Sequence, residues 1–307
     1  MSDKSIDEPK RWTETTFGVV ATRLTELRQL ALDLGVSNAA DRLSFLHRRL
    51  EEVADANSRP GGVQAIADRV GHGELLWQLT EAEEFAAMMP WLLKYPTQHL
   101  TPKLREALEG PPYPQIETPL SSRGRNIAFE LNFASRMLRN NVNLMFLSEV
   151  DLAAQISGHA FLLQCKRPFS ERKFAKALRN ANRQLVRDLH RAPSPAWGVI
   201  AISVGRVLNP STSIFIGAQR NQRDMIDQSL DQLIDRHAVL RHSLQEPRVI
   251  AVIFHIQTAA YYPSSTSSIA TIQRGRSIPL YPDGTAEHLL AMRLTGALSR
   301  DGWINYS

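Results

Sequence analysis

An acid, an amide and an ammonium fall at hairpin spacing between Glu149 and Arg167. Ser157-Gly158 divides this stretch into two runs of alternating apolar residues, and the glycine tolerates the positive φ that a two-residue hairpin turn demands. With that turn, Asp151 faces Gln164 and Glu149 faces Lys166 across the pair. The period of two sends all four side chains to one face, and Val150, Leu152, Ala154, Ile156, Phe161, Leu163 and Cys165 to the other. The expectation is a hairpin with an oily face and a chemical face. Carboxylate and amide oxygens are hard donors suited to a hard divalent cation, and a neighbouring ammonium steadies negative charge.

An acid opposed to Gln-x-Lys across a hairpin resembles the core of the PD-(D/E)XK nuclease superfamily, in the Mrr-like branch where Gln stands in place of the second acid. The residues carrying the resemblance are Asp151, Gln164 and Lys166. Glu130, upstream on an expected helix, matches the acid that many members contribute from their first core helix. The match covers roughly Gly124 to Val204, and Val150 stands where the family pattern has proline. The resemblance implies a Mg²⁺- or Mn²⁺-dependent hydrolysis of phosphodiester bonds, with DNA as the expected substrate. Asp151 is then the primary metal ligand, joined by Glu130 and the main-chain carbonyl of Cys165. Gln164 offers a neutral oxygen, and Lys166 positions the attacking water or steadies the transition state. Glu149 is either a second acid or an ion-pair partner of Lys166.

The elements that must hold these residues follow the same order. A helix over 125–140 carries Ile127, Leu131, Ala134 and Leu138 as its apolar stripe, with Glu130 on the border, about 70° from the centre at 100° per residue. A strand over 142–147 precedes the hairpin. After Pro168, Ser170 caps a helix to about His190 with two separate faces. Phe174, Leu178, Ala181, Leu185 and Leu189 form the inward face, and Arg172, Lys176, Arg179, Arg183 and Arg187 form a cationic stripe opposite. The stripe is either a solvated face or one that tracks phosphates. Trp197–Val204 reads as a buried strand. The resulting order, αβββαβ, is that of a restriction-endonuclease-like core: an α/β fold with a mixed sheet flanked by helices. Gln184 on the cationic helix lies at the stripe border, and the RecB-like branch would place Tyr where Asp188 stands.

Charge is polarised along the chain. Residues 1–115 carry 13 Lys+Arg against 17 Asp+Glu, and residues 116–307 carry 23 against 14, for a net +5 overall. The basic excess lies in the half that holds the hairpin, which suits a polyanion partner. The single cysteine, Cys165, rules out an internal disulfide and a cysteine-based metal cluster. The first ten residues lack an apolar signal core, so a cytoplasmic location is expected.

Residues 1–115 read as a helical N-terminal region and 116–307 as the nuclease-like domain, with the boundary in the proline-rich stretch from Tyr95 to Pro119. Within the first region, helices are expected over 15–34, from Ala39 to Val53, over 63–70, and from Glu74 to Met89, ending before Pro90. The seam of the first two (Val20, Leu24, Leu27, Ala31; Leu43, Leu46, Leu50, Val53) either packs inside the region or serves a homodimer or partner. Beyond the core, a helix over 219–244, strands over 248–257 and 269–276, a loop at 263–268 and a helix over 286–298 complete the chain. No Gly-x-Ser-x-Gly, Walker A, His-Glu-x-x-His or paired-cysteine motif competes. His159 and His255 read as strand histidines. A different functional class stays open: a catalytically silent nuclease-like fold that binds nucleic acid or serves in assembly.

Overall fold

The computed structural model describes residues 17–36, 40–57, 59–94, 97–111, 113–145, 151–192, 196–213, 215–216, 219–238, 244, 246–261 and 269–299. Helices α1 (Phe17–Asp33), α2 (Ala40–Asn57), α3 (Gly62–Val70), α4 (His72–Leu92) and α5 (Thr97–Leu108) come first. There follow α6 (Arg123–Arg139), β1 (Asn143–Met145), β2 (Leu152–Ile156), β3 (His159–Lys166), α7 (Glu171–Arg191) and β4 (Ala196–Ser203). The chain continues through the one-turn α8 (Gly205–Leu208), β5 (Phe215–Ile216), α9 (Gln219–Arg236), β6 (Val249–Tyr261), β7 (Ile269–Pro279) and α10 (Ala286–Ser299).

The strands form one mixed sheet in an α/β arrangement. β1, β2 and β3 are antiparallel neighbours, β3, β4 and β6 run parallel, β5 extends the β4 side of β6, and β7 pairs antiparallel along its other side. The β2–β3 turn lies where the sequence places it. Ser157 and Gly158 have φ of 51° and 80°, and Leu152 pairs with Leu163. Two successive residues at positive φ match the twist of a tight hairpin, which fixes the register.

Helices cover both faces of the sheet. One core joins α1, α2, α4, α5, α6 and α10 to Leu152, Ala154, Ile156, Phe161, Leu163 and Cys165 of the hairpin. The other joins α7 and α9 to Ala153, Leu162, Ile200, Ile202, Val252 and Phe254. The expected division of the hairpin into an oily and a chemical face is therefore corrected. Strands inside a sheet covered on both sides are apolar on both faces, and polar groups are left to the strand ends. On α7 the periodicity reading holds residue by residue: Phe174, Leu178, Ala181, Leu185 and Leu189 are buried, each contributing roughly 1.5–3 kcal/mol if large.

The N-terminal helices are the second layer over α6. Leu24, Leu27, Leu43, Leu46, Leu50 and Val53 are buried within the same chain, so the seam considered for dimerisation is occupied internally. The described parts of 1–115 and 116–307 share this apolar core. Two local expectations are corrected. α4 runs past Pro90 to Leu92, because burial of Met88, Met89 and Leu92 holds a last turn that has lost one backbone bond. The proline-rich stretch contains α5, whose Leu100, Leu104, Ala107 and Leu108 are buried at helical spacing around Pro102. No helix among the described residues is long and apolar enough to cross a membrane.

Two close approaches fix the packing. A Cβ on Gly124 would lie 2.0 Å from the Glu109 carbonyl oxygen, whereas one on Gly198 would meet Leu185 and Leu189 side chains at 2.8 and 2.9 Å. Gly124→Ala should therefore lower the unfolding free energy by at least about 1–3 kcal/mol, and Gly198→Ala by less, since leucine side chains yield more readily than backbone. Urea denaturation of the two variants checks the order.

Candidate functional site

Asp151 immediately precedes β2, and Lys166 ends β3, so the hairpin register delivers both to the same open end. Asp151 Oδ2 accepts from the Cys165 backbone N–H at 2.7 Å and from Lys166 Nζ at 3.4 Å. Lys166 Nζ also donates to Gln164 Oε1 at 2.9 Å. The three residues named from the sequence thus form one hydrogen-bonded cluster. The Asp151 and Lys166 side chains keep 20 and 23 % of their surface exposed, which leaves the cluster open to solvent. In a strand the N–H and C=O of one residue point the same way. The Cys165 carbonyl therefore faces the Asp151 side as well. Its thiol lies in the apolar core, where burial pushes its pKa well up. Glu149 lies outside the described residues.

Gln164 is buried, and its amide is oriented from both ends. Nε2 donates to Asp188 Oδ2 of α7 at 3.3 Å, while Oε1 accepts from Lys166. A carboxylate accepts only, so Asp188 selects the amide rotamer that turns the oxygen toward the cluster. This Asp188, which the family comparison marks only as a departure, is a contact that the sequence reading missed. Its side chain is buried, and Arg187 Nε is 3.3 Å from its other oxygen.

Glu130, on the border of the α6 stripe, faces away from bulk water: it is 5 % exposed, because α6 is enclosed between the sheet and the helices α4 and α5. Phe129, Phe133 and Met137 form a second buried stripe beside Leu131 and Ala134, whereas Ile127 and Leu138 are only half-buried. Lys103 Nζ of α5 sits 2.5 Å from Glu130 Oε2. Burial, followed by the charge of Asp151, pushes Glu130 up to about 7 against the pull of Lys103 and Lys166. Lys103 is the second residue that the sequence reading missed. The Leu100-Leu104-Ala107 spacing marks its helix, but the prolines masked that signal.

The groups that could hold a cation here are hard oxygens: the Asp151 and Glu130 carboxylates, the Gln164 amide oxygen and the Cys165 carbonyl. Donors of that chemistry suit Mg²⁺ or Mn²⁺, which need only one or two carboxylates while keeping several waters, and do not suit a thiolate- or imidazole-seeking ion. The repulsion that Asp151 exerts on the Glu130 carboxylate is one that a nearby cation would relieve. Among the described residues no group of three or more His, Cys, Asp and Glu side chains is gathered around one point. His159 begins β3. His255 is buried in β6 against the Phe129 ring at 5.6 Å, and burial holds its pKa well below the usual range.

Arg172, Lys176, Arg179, Arg183 and Arg187 are all exposed on the outer face of α7. Arg183 donates to Asn180, and Arg187 pairs with Asp188; Arg172, Lys176 and Arg179 make no ion pair among the described residues. Comparison with protein-family models, curated proteins and solved structures finds no match to this chain. The side-chain geometry is what bears on function.

Two outcomes follow from this geometry. Between about pH 4.5 and about 7 the folded chain keeps a proton on Glu130 that the unfolded chain has released. Its contribution to stability is greatest below the unfolded value and is lost as pH rises through the folded one. Glu84, also raised to about 7, adds a slope of the same sign. Glu130→Gln should therefore lessen the loss of unfolding free energy between about pH 5 and about pH 8 by on the order of 1–3 kcal/mol, and an unchanged slope would contradict the placement. For the amide, Gln164→Glu sets two buried carboxylates against each other and should cost on the order of 3 kcal/mol. Adding Asp188→Asn should recover most of that loss, a non-additivity that a double-mutant cycle measures.

Proposed function

We propose that this protein is a Mg²⁺- or Mn²⁺-dependent nuclease that hydrolyses phosphodiester bonds of DNA on a restriction-endonuclease-like core. The observation that carries the reading is the meeting of Asp151, Gln164 and Lys166 at one end of the hairpin, with the buried Glu130 electrostatically coupled to them. The order α6, β1, β2, β3, α7, β4 supports it as the αβββαβ arrangement.

Each residue has a role that follows from its contacts. Asp151 and Glu130 would hold the cation, with the Cys165 carbonyl and Gln164 oxygen completing the protein donors. When bound, the ion supplies Lewis-acid activation of water and neutralises charge on the phosphoryl oxygens. The Cys165 N–H fixes one Asp151 oxygen, leaving the other available. Lys166, anchored between Asp151 and Gln164, aligns the attacking water or the phosphate oxygen and stabilises the charge that builds on it. Lys103 holds Glu130 in place. The exposed stripe on α7 (Glu171–Arg191) begins at Arg172, six residues after Lys166, and would track the phosphates of the same duplex.

A second reading, a nuclease-like module that binds nucleic acid without cutting it, draws on one observation. Each carboxylate of the cluster already has a lysine partner, Lys103 for Glu130 and Lys166 for Asp151.

Incubation with plasmid and linear DNA separates the two. Cleavage is expected with Mg²⁺, none with EDTA, and a loss of at least about a hundredfold in Asp151→Ala and in Lys166→Ala. Binding without cleavage would select the second reading, and cleavage that persists in both variants would remove the assigned site. Arg179→Glu with Arg183→Glu should weaken DNA binding and reduce the slope of log affinity against log salt by up to about 2, whereas an unchanged slope excludes that face.

A further inference from the structure

On the α6 side of the sheet, a cavity of about 70 Å³ opens beyond the carboxyl ends of β3 and β4. Arg167 follows β3, and Ser203, Gly205 and Arg206 stand at and after the end of β4, while Arg42 and Arg125 reach in from α2 and α6. The carboxyl ends of parallel strands are where open α/β sheets leave a crevice for ligands. By size the cavity holds roughly five waters at 10–15 Å³ each, or one tetrahedral oxyanion.

The walls are rich in N–H donors that the protein does not use. Glu81 accepts from both Arg42 and Arg125, and Glu117 takes Arg167 in a bidentate pair at 2.5 and 2.9 Å. After those bonds, Arg42 Nε, Arg206 Nη1 and the Gln257 amide still lack a hydrogen-bond partner among the described residues although these atoms are buried, and Arg125 Nη1 makes no hydrogen bond there and has only Glu117 Oε2 at 4.0 Å. A buried guanidinium N–H without an acceptor is costly, and several on residues around one space are retained together only if something accepts from them. Arg206 lies over the Phe169 ring at 4.8 Å and has no carboxylate hydrogen-bonded to it among the described residues.

Charge selects the occupant. Four guanidinium groups line the space against Glu81 and Glu84, with Glu117 behind Arg167 and Arg125. Burial and the neighbouring Glu81 raise Glu84 to about 7, so its negative charge is partial near neutrality. Planar guanidinium forks match the oxygens of phosphate, and Gln257 adds an amide donor. The cluster around Asp151 offers oxygens to a cation; this one offers N–H groups to an anion.

We infer that the cavity bounded by Arg42, Arg125, Arg167, Arg206 and Gln257 binds a phosphate-type oxyanion, as free phosphate or as the terminal phosphate of a nucleic-acid strand. The site does not depend on whether the Asp151 cluster cleaves DNA.

The test is thermal unfolding and calorimetric titration of the full chain with inorganic phosphate, a 5′-phosphorylated trinucleotide and its unphosphorylated counterpart, each against chloride at matched ionic strength. Saturable stabilisation is expected from inorganic phosphate, from the phosphorylated trinucleotide, or from both, and none from the unphosphorylated one. Response to inorganic phosphate identifies a free-anion site, and response only to the trinucleotide identifies a strand end. Arg206→Ala and Gln257→Met, each checked for native circular dichroism, should weaken that binding at least about tenfold, as loss of one charge-assisted bond does. Arg28→Glu on the exposed face of α1, away from the cavity, should leave it unchanged. Stabilisation no greater than with chloride would overturn the inference. So would binding that survives in both cavity variants or that falls equally with Arg28→Glu.

Discussion

The structure depends on keeping carboxylates ionisable at the end of a sheet whose interior excludes them. Both faces of the hairpin are packed against helices, and a charge placed mid-strand there would have no solvation. The tight turn at Ser157-Gly158 resolves this by fixing a register that carries Asp151 and Lys166 past the covered region together. A slip of one residue would invert every side chain and bury the pair in opposing cores. The Cys165 N–H then holds Asp151 from the backbone, a contact that no side-chain substitution at 165 removes.

A second layer of helices changes the chemistry of the first. If α6 lay on the sheet alone, Glu130 would be a flank residue with an ordinary carboxylate. With α4 and α5 over it, the carboxylate is desolvated, repelled by Asp151 and stabilised by Lys103. The same layer creates the arginine-lined cavity, where Arg42 from α2 and Arg125 from α6 converge on Glu81 and hold it down at about 2 despite its burial. The N-terminal helices therefore set the electrostatics at the sheet's edge as well as contributing apolar mass.

What could be read from the sequence was local. The hairpin needed only period two and a turn dipeptide, and α7 needed only the separation of leucines from arginines around one helix. The hairpin's turn and register and the faces of α7 survive because neighbours in the chain determine them, whereas the hairpin's chemical face does not, because α7 covers that side of the sheet. The burial of Glu130 was not legible from its own helix, since the covering residue, Lys103, comes 27 positions earlier on α5. Pro102 made that helix look like a linker. Phe129, Phe133 and Met137 did carry a signal: two apolar stripes on one helix mean two partners, and only one was assigned. Asp188 was visible as a polar residue on α7, but its contact with Gln164 depends on how the helix crosses the strand.

A crystal soaked in Mn²⁺ and measured at the manganese absorption edge tests the centre of this proposal most directly. An anomalous peak is predicted between the carboxylates of Asp151 and Glu130, within coordination distance of the Cys165 carbonyl. Manganese bound elsewhere, or a site that stays empty with Lys103 and Lys166 still paired to the two acids, would contradict it.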